Sequence, residues 1–133
     1  MNDYSNYYDT LIKPDFFPPE YLFGIAWGII YPMIAIGFIY MIYLIYKNKL
    51  PISILILFLI NMSANIAFTP IQFTLQNNEL ALVDIFVVTI SLLILQVIAF
   101  RKRLYVLFAI FLPYLIWVLY ATFLQTIITW LNW

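Results

Sequence analysis

The chain has 133 residues, of which 66% are hydrophobic and 9% charged, and its six basic and six acidic residues cancel. Soluble domains carry about 25% charged residues, so this composition predicts an integral membrane protein. The sequence has no run of basic residues, which excludes nucleic-acid binding. It also has no cysteine and no histidine, which excludes disulfides, thiol chemistry and the usual zinc or haem ligands.

Four apolar stretches are long enough to cross a bilayer, which takes about 20 helical residues. They occupy residues 21–46, 52–75, 80–100 and 104–131. None alternates as a barrel strand does, so helices are the form that can satisfy the backbone in lipid. Because the connections are short, neighbouring helices should be antiparallel. We therefore predict an all-α fold, with residues 1–133 forming a single membrane domain of four transmembrane helices.

The basic residues predict an orientation in the membrane. Lys47 and Lys49 follow the first stretch, and Arg101, Lys102 and Arg103 follow the third. Loops rich in lysine and arginine remain in the cytoplasm. We therefore expect loops 47–50 and 101–103 to be cytoplasmic in a bacterial inner-membrane protein, with both termini on the opposite side.

The first stretch carries an aromatic face. Phe23, Trp27 and Tyr31 are spaced by four residues, which places them on one side of a helix. Gly24 and Gly28 form a G-x-x-x-G pattern on the adjacent side, which permits close helix contact. The aromatic face fits either plain packing inside the bundle or the wall of a pocket.

The second stretch carries a stripe of amides. Asn61, Asn65, Phe68 and Gln72 follow one another at helical spacing. Amides in hydrocarbon need partners, so this stripe should face the bundle interior. Hydrogen bonds between helices would explain it, and so would a pocket lined together with the aromatic residues. Pro70 should kink this helix two residues before Gln72.

The last stretch repeats the pattern. Tyr114, Trp117, Ala121 and Gln125 recur at intervals of three, four and four residues. Ala121 leaves space on a face that otherwise carries large or polar side chains, and Pro113 should bend the helix. A bent helix with a gap between a tryptophan and an amide fits a ligand-binding wall better than a lipid-facing surface, and packing inside the bundle stays open as the alternative.

These segments resemble a known family. Residues 13–31, KPDFFPPEYLFGIAWGIIY, resemble the K-P-x-x-x-P-P-x-x-x-F-G-x-x-W-x-x-x-Y pattern of the TspO/MBR family, the translocator or tryptophan-rich sensory proteins. Residues 64–73, ANIAFTPIQF, look like its L-N-x-x-W-x-P-x-F-F motif, and residues 81–85, ALVDI, like the start of its next helix. Residues 113–125, PYLIWVLYATFLQ, are similar to its last helix. The four blocks keep the family's order and cover nearly the whole chain.

The resemblance implies a membrane bundle of five helices, usually a homodimer, with a pocket for porphyrins, sterols and synthetic isoquinoline or benzodiazepine ligands. Since similarity begins before the family's second helix, we expect the first helix to be missing. Pro18 and Pro19 match the loop that covers the pocket. Resemblance and periodicity together predict ten ligand-binding residues: Phe23, Trp27, Tyr31, Asn65, Phe68, Tyr114, Trp117, Ala121, Leu124 and Gln125.

The expected function is that of a membrane receptor or sensor that binds a flat hydrophobic ligand, a tetrapyrrole such as a porphyrin or haem precursor. No metal site, catalytic residue or required cofactor is predicted, and the expected partners are the ligand, the lipid bilayer and a second copy. Two alternatives remain open. One is a light-dependent porphyrin-degrading enzyme with the pocket tryptophans as electron donors, and the other is a non-catalytic subunit of a membrane complex.

Overall fold

A computed structural model of the chain describes residues 11–13, 18 and 20–132. Regular structure within these residues is entirely helical, and four helices are long and apolar enough to span a membrane. They are α1 (Glu20–Tyr46), α2 (Ile54–Thr69, continued by a π-helical turn at Pro70–Thr74), α3 (Asn78–Arg101) and α4 (Tyr105–Leu131). The predicted fold class is confirmed, and every predicted end falls within two residues of the observed one.

Tight turns reverse the chain between consecutive helices. Asn48, Gln76 and Arg103 adopt left-handed backbone conformations, with φ of 62°, 51° and 60°. After α1, the Lys49 N–H donates to the Leu44 carbonyl at 2.9 Å, which closes the helix end. A left-handed residue at this position is a common way to end a helix. The short turns make neighbouring helices antiparallel, as predicted.

Pro70 changes the geometry at the end of α2. Proline has no N–H for the helical ladder, and from this residue the helix widens into a π turn. The Leu75 N–H donates to the Pro70 carbonyl at 3.0 Å, five residues back. The helix is therefore irregular at Pro70, and the kink expected there stays a prediction. The wide turn directs Gln72 and Phe73 into the protein, where both are buried.

The helices form an incomplete ring, in which three neighbouring pairs pack closely and the fourth pair, α1 and α2, does not. Helix α1 packs along α4, α4 along α3, and α3 along α2. Helices α1 and α2 approach each other mainly through side chains. The Tyr31 hydroxyl donates to Asn65 Oδ1 at 2.7 Å, and the rings of Phe38 and Phe58 stack at 4.9 Å between centroids. We call this side of the bundle the α1–α2 seam.

The half of the bundle next to loops 47–53 and 102–104, the basic half, is filled with apolar side chains. Met41, Leu107 and Phe111 are almost completely inaccessible there. Gly37 of α1 lies against the Phe111 ring, and a Cβ placed on this glycine would lie 2.6 Å from Phe111 Cζ. A side chain at position 37 would overlap the ring, so only glycine permits this approach.

The glycines singled out in the sequence behave differently. Apart from the adjoining residues and the nearby backbone of α1 itself, no heavy atom of the described residues lies within 4 Å of a Cβ placed on Gly24 or Gly28. The prediction that this G-x-x-x-G pair permits close helix contact is therefore wrong within the bundle, because both glycines border open space. Close contact occurs at Gly37 instead, about three turns further along the same helix.

Candidate ligand-binding cavity

The half of the bundle on the side of the 75–77 turn, the cavity half, contains a cavity of about 580 Å³. All four helices contribute to its wall. This volume lies within the range of roughly 300–1,000 Å³ that is usual for sites of small organic molecules. The lining is mainly apolar and aromatic, with a few polar groups at defined positions.

The structure brings nine of the ten predicted ligand-binding residues together around this cavity. They are Phe23, Trp27 and Tyr31 from α1, Asn65 and Phe68 from α2, and Trp117, Ala121, Leu124 and Gln125 from α4. The tenth, Tyr114, does not line the cavity: it is 1% exposed and lies behind the wall. Whether these residues bind a ligand remains a prediction.

Aromatic rings support one another along one side of the cavity. Trp27 stacks on Tyr31 with centroids 5.0 Å apart, and Trp117 meets Trp27 edge to face at 6.3 Å. The Phe23 ring also packs edge to face against Trp117, with 5.6 Å between the ring centroids. Such pairs contribute about 0.5–1.5 kcal/mol each beyond area burial, so the rings are held in place before any ligand arrives. The buried Trp117 indole N–H has no hydrogen-bond acceptor among the described residues.

A chain of hydrogen bonds runs from the cavity wall into the protein. The Tyr31 hydroxyl donates to Asn65 Oδ1 at 2.7 Å, and Asn65 Nδ2 donates to the Tyr114 hydroxyl at 2.8 Å. Tyr114 in turn donates to Asn61 Oδ1 at 2.9 Å. Tyr114 lies behind the wall and, through this hydrogen bond, orients Asn65, which faces the cavity.

The same chain ends on α3. Asn61 Nδ2 donates to the Val88 carbonyl at 2.9 Å and to Ser91 Oγ at 3.0 Å. One continuous network, which we call the tyrosine–asparagine network, therefore joins all four helices. Both interpretations of the amide stripe apply, because Asn61 only connects helices whereas Asn65 also faces the cavity.

A second polar cluster lies at the end of the cavity nearest the start of α3. Gln125 Nε2 donates to Gln72 Oε1 at 3.1 Å and to Thr129 Oγ1 at 3.2 Å. Gln72 Nε2 donates to Asn78 Oδ1 at 3.0 Å. Gln72 is completely inaccessible, so Gln125 is the amide of this cluster that reaches the cavity surface.

Seven lining residues were not predicted: Tyr21, Gly24, Thr69, Phe73, Ile85, Val88 and Ile128. Thr69 and Phe73 continue the helical spacing that begins at Asn65, so the amide stripe could have been extended to include them. Ile85 and Val88 belong to a helix that is apolar on every side, where periodicity gives no signal.

Part of the segment before α1 lies at the cavity end of the bundle. The Ile12 N–H donates to Asn132 Oδ1, and Asn132 Nδ2 donates to the Ile12 carbonyl, both at 3.0 Å. Asn132 follows one turn after Ile128, which lines the cavity. Pro18 is half-buried, and Pro19 lies outside the described residues. The covering role of this loop stays a prediction.

A partly open cavity lined by aromatic side chains and shared by four spanning helices defines the class as a small helical membrane protein with an apolar cavity between its helices. Comparison with known proteins identifies the family. The profile of the TspO/MBR family matches residues 1–131, and the chain belongs to this family. The resemblance inferred from the four sequence blocks is thereby confirmed.

Individual relatives cover most of the chain. It is 37% identical to the tryptophan-rich protein TspO of Bacillus cereus over 120 residues, which are 90% of this chain and 76% of that protein. It is 33% identical to the membrane protein YtaB of Bacillus subtilis over 96% of this chain and 81% of the relative. Protein CrtK of Rhodobacter capsulatus is 29% identical over 86% of this chain and 71% of its own length.

Proposed function

We propose that this chain is a membrane receptor that binds a flat hydrophobic tetrapyrrole, a porphyrin or haem precursor, in the cavity half of the bundle. The observation that carries the proposal is the composition of the cavity wall. Aromatic rings that are already held against one another occupy one side, and oriented amides occupy defined points of the remainder. Family membership supports the same class of protein.

A tetrapyrrole matches this wall chemically. Its planar conjugated ring would gain aromatic contact with Trp27 and Trp117, where offset and edge-to-face arrangements are both favourable. Its polar substituents would find hydrogen-bonding groups in the side-chain amides of Asn65 and Gln125. Tyr31 stacks on Trp27 and donates a hydrogen bond to Asn65, so it would fix the positions of the Trp27 ring and the Asn65 amide.

The test is titration of the purified protein in detergent with protoporphyrin IX, followed by porphyrin absorbance and tryptophan fluorescence. Trp27→Phe and Trp117→Phe should each weaken binding by about tenfold or more, as loss of a buried tryptophan contact usually does. Trp130→Phe is the matched control, because Trp130 is 80% exposed and does not line the cavity. Equal affinities for all four proteins would refute the site.

Light-dependent degradation of the porphyrin is a second candidate. Contact between Trp27, Tyr31 and Trp117 favours it, because these rings could supply an electron to an excited porphyrin beside them, with dissolved dioxygen as the oxidant that ring opening requires. Illumination of the complex should then yield a new absorbing product with the wild type and not with Trp117→Phe. A porphyrin spectrum that bleaches identically with and without protein would eliminate this candidate.

We further propose that loops 47–50 and 101–103 face the cytoplasm of a bacterial inner membrane and that two copies associate. The chain has no cysteine, so single cysteines at positions 48 and 77 can be labelled without background. A membrane-impermeant maleimide applied to intact cells should label position 77 and not position 48. Crosslinking in membranes should give a dimer, and a purely monomeric pattern would refute the association.

A further inference from the structure

The basic side chains are concentrated at one end of the molecule. Five of the six lysine and arginine residues in the sequence lie in the two turns of the basic half or directly beside them: Lys47, Lys49, Arg101, Lys102 and Arg103. All five are exposed. We call this surface the basic face.

No acidic residue of the sequence lies in these two turns. Glu79 and Asp84 are in the first two turns of α3, at the opposite end of a 24-residue helix. Glu79 is 22 positions from Arg101, which corresponds to about 33 Å along a helix. Because electrostatic interactions are screened over about 8 Å at physiological salt, these carboxylates cannot neutralise the basic face.

Aromatic side chains place the basic face at the level of the lipid headgroups. Tyr43, Tyr46 and Tyr105 are exposed beside the two turns, and tyrosine is enriched where a membrane protein passes from hydrocarbon to water. The Lys47 ammonium lies 5.7 Å and 5.9 Å from the ring centroids of Tyr43 and Tyr46. These contacts hold a cation at the tyrosine belt, where lipid phosphates are within reach.

We propose that the basic face is a binding surface for the headgroups of anionic phospholipids. The preference for basic residues in cytoplasmic loops acts while a chain inserts, whereas this proposal concerns the folded protein. Clusters of four to eight basic residues next to a spanning helix are typical of anionic-lipid binding. Helices α2 and α4 begin at this end and α1 and α3 end there, so the helix dipoles largely cancel and the charge of the basic face comes from its side chains.

The test is electron paramagnetic resonance of spin-labelled lipids around the purified protein in phosphatidylcholine bicelles. At low salt, labelled phosphatidylglycerol should be retained about fivefold more strongly than labelled phosphatidylcholine, roughly the effect of one basic residue near an anionic surface. In 1 M salt, where the screening length falls to about 3 Å, the preference should nearly disappear.

Two variants neutralise one turn at a time, so that each protein keeps one basic turn to orient it: Lys47→Gln with Lys49→Gln, and Arg101→Gln with Lys102→Gln and Arg103→Gln. Each should lower the preference by at least twofold with unchanged helical circular dichroism. Glu79→Gln, at the other end of the bundle, should not lower the lipid preference.

Equal retention of the two lipids by the folded wild type, or an undiminished preference in both loop variants, would overturn the proposal. So would complete displacement of the lipid by millimolar inorganic phosphate at constant ionic strength, since the surface would then bind free phosphate.

Discussion

The basic half and the cavity half are built from the same four helices, yet one is filled and the other is hollow. Helix α1 illustrates the difference with its glycines. Gly37 lies under the Phe111 ring, where a side chain would overlap it, whereas Gly24 faces the cavity with open space around it. A glycine therefore either admits a large neighbour or leaves a space, depending on which residue the opposite helix presents.

One of the two polar clusters lies where the halves meet. The tyrosine–asparagine network joins all four helices next to the cavity, where apolar packing across the bundle is interrupted. In a membrane, helices gain little hydrophobic free energy from one another, so packing and hydrogen bonds hold them together. Packing therefore stabilises the basic half, and hydrogen bonds should take a larger share in the cavity half.

The largest effect should come from filling the glycine in the basic half. Gly37→Ala places a Cβ 2.6 Å from Phe111 Cζ, and the buried ring cannot move without displacing its neighbours. Overpacking of this kind costs about 1–3 kcal/mol. Reversible unfolding in mixed micelles should show the loss, and Phe111→Leu in the same chain should restore part of it.

Gly28→Ala is the matched control on the same helix. Beyond the adjoining residues and backbone of α1, its new methyl group meets no heavy atom of the described residues within 4 Å, and alanine favours a helix over glycine by about 0.5–1 kcal/mol. Its free energy of unfolding should therefore be equal to that of the wild type or higher. If the two substitutions destabilise equally, the contrast between a filled and a hollow half is wrong.

Sequence periodicity predicted the helices and most of the cavity wall, because 20-residue apolar runs and helical spacing are local properties. It could not distinguish Gly37 from Gly24, since the difference depends on Phe111, 74 positions away in the chain from Gly37. It also grouped Tyr114 with Trp117, although residues three apart differ by about 60° around a helix. That rotation is sufficient to place Tyr114 behind the wall and Trp117 at the cavity.

An intermediate effect is expected where the two halves meet. Tyr114→Phe removes the hydroxyl that donates to Asn61 and accepts from Asn65, and it leaves the ring in place. Hydrogen bonds between membrane helices contribute on average about 0.6 kcal/mol, up to about 1.7. The free energy of unfolding should fall by an amount in this range. Protoporphyrin IX affinity should also fall, because Asn65 is then held only by its hydrogen bond from Tyr31.

Tyr120→Phe controls for the loss of a tyrosine hydroxyl, since Tyr120 is on the same helix, is exposed and does not line the cavity. It should change neither stability nor affinity. A Tyr114→Phe protein whose stability falls while its porphyrin affinity is unchanged would mean that the network holds the bundle together and does not prepare the site.

The smallest effect on stability should come from the cavity wall. Ala121→Phe extends a side chain into empty space, so the free energy of unfolding should change by less than about 0.5 kcal/mol, the usual limit where no packed neighbour is disturbed. The added ring occupies volume that a ligand needs, and protoporphyrin IX affinity should fall by at least tenfold. Ala109→Phe, an exposed alanine of α4 outside this cavity, is the matched control and should bind as the wild type does. In the cavity half, a substitution is thus expected to lower ligand affinity and leave stability almost unchanged. Gly37→Ala in the basic half is expected to lower stability more than affinity.

An Ala121→Phe protein that is strongly destabilised would show that the cavity is filled in the membrane, whereas one that keeps full affinity would place the ligand elsewhere.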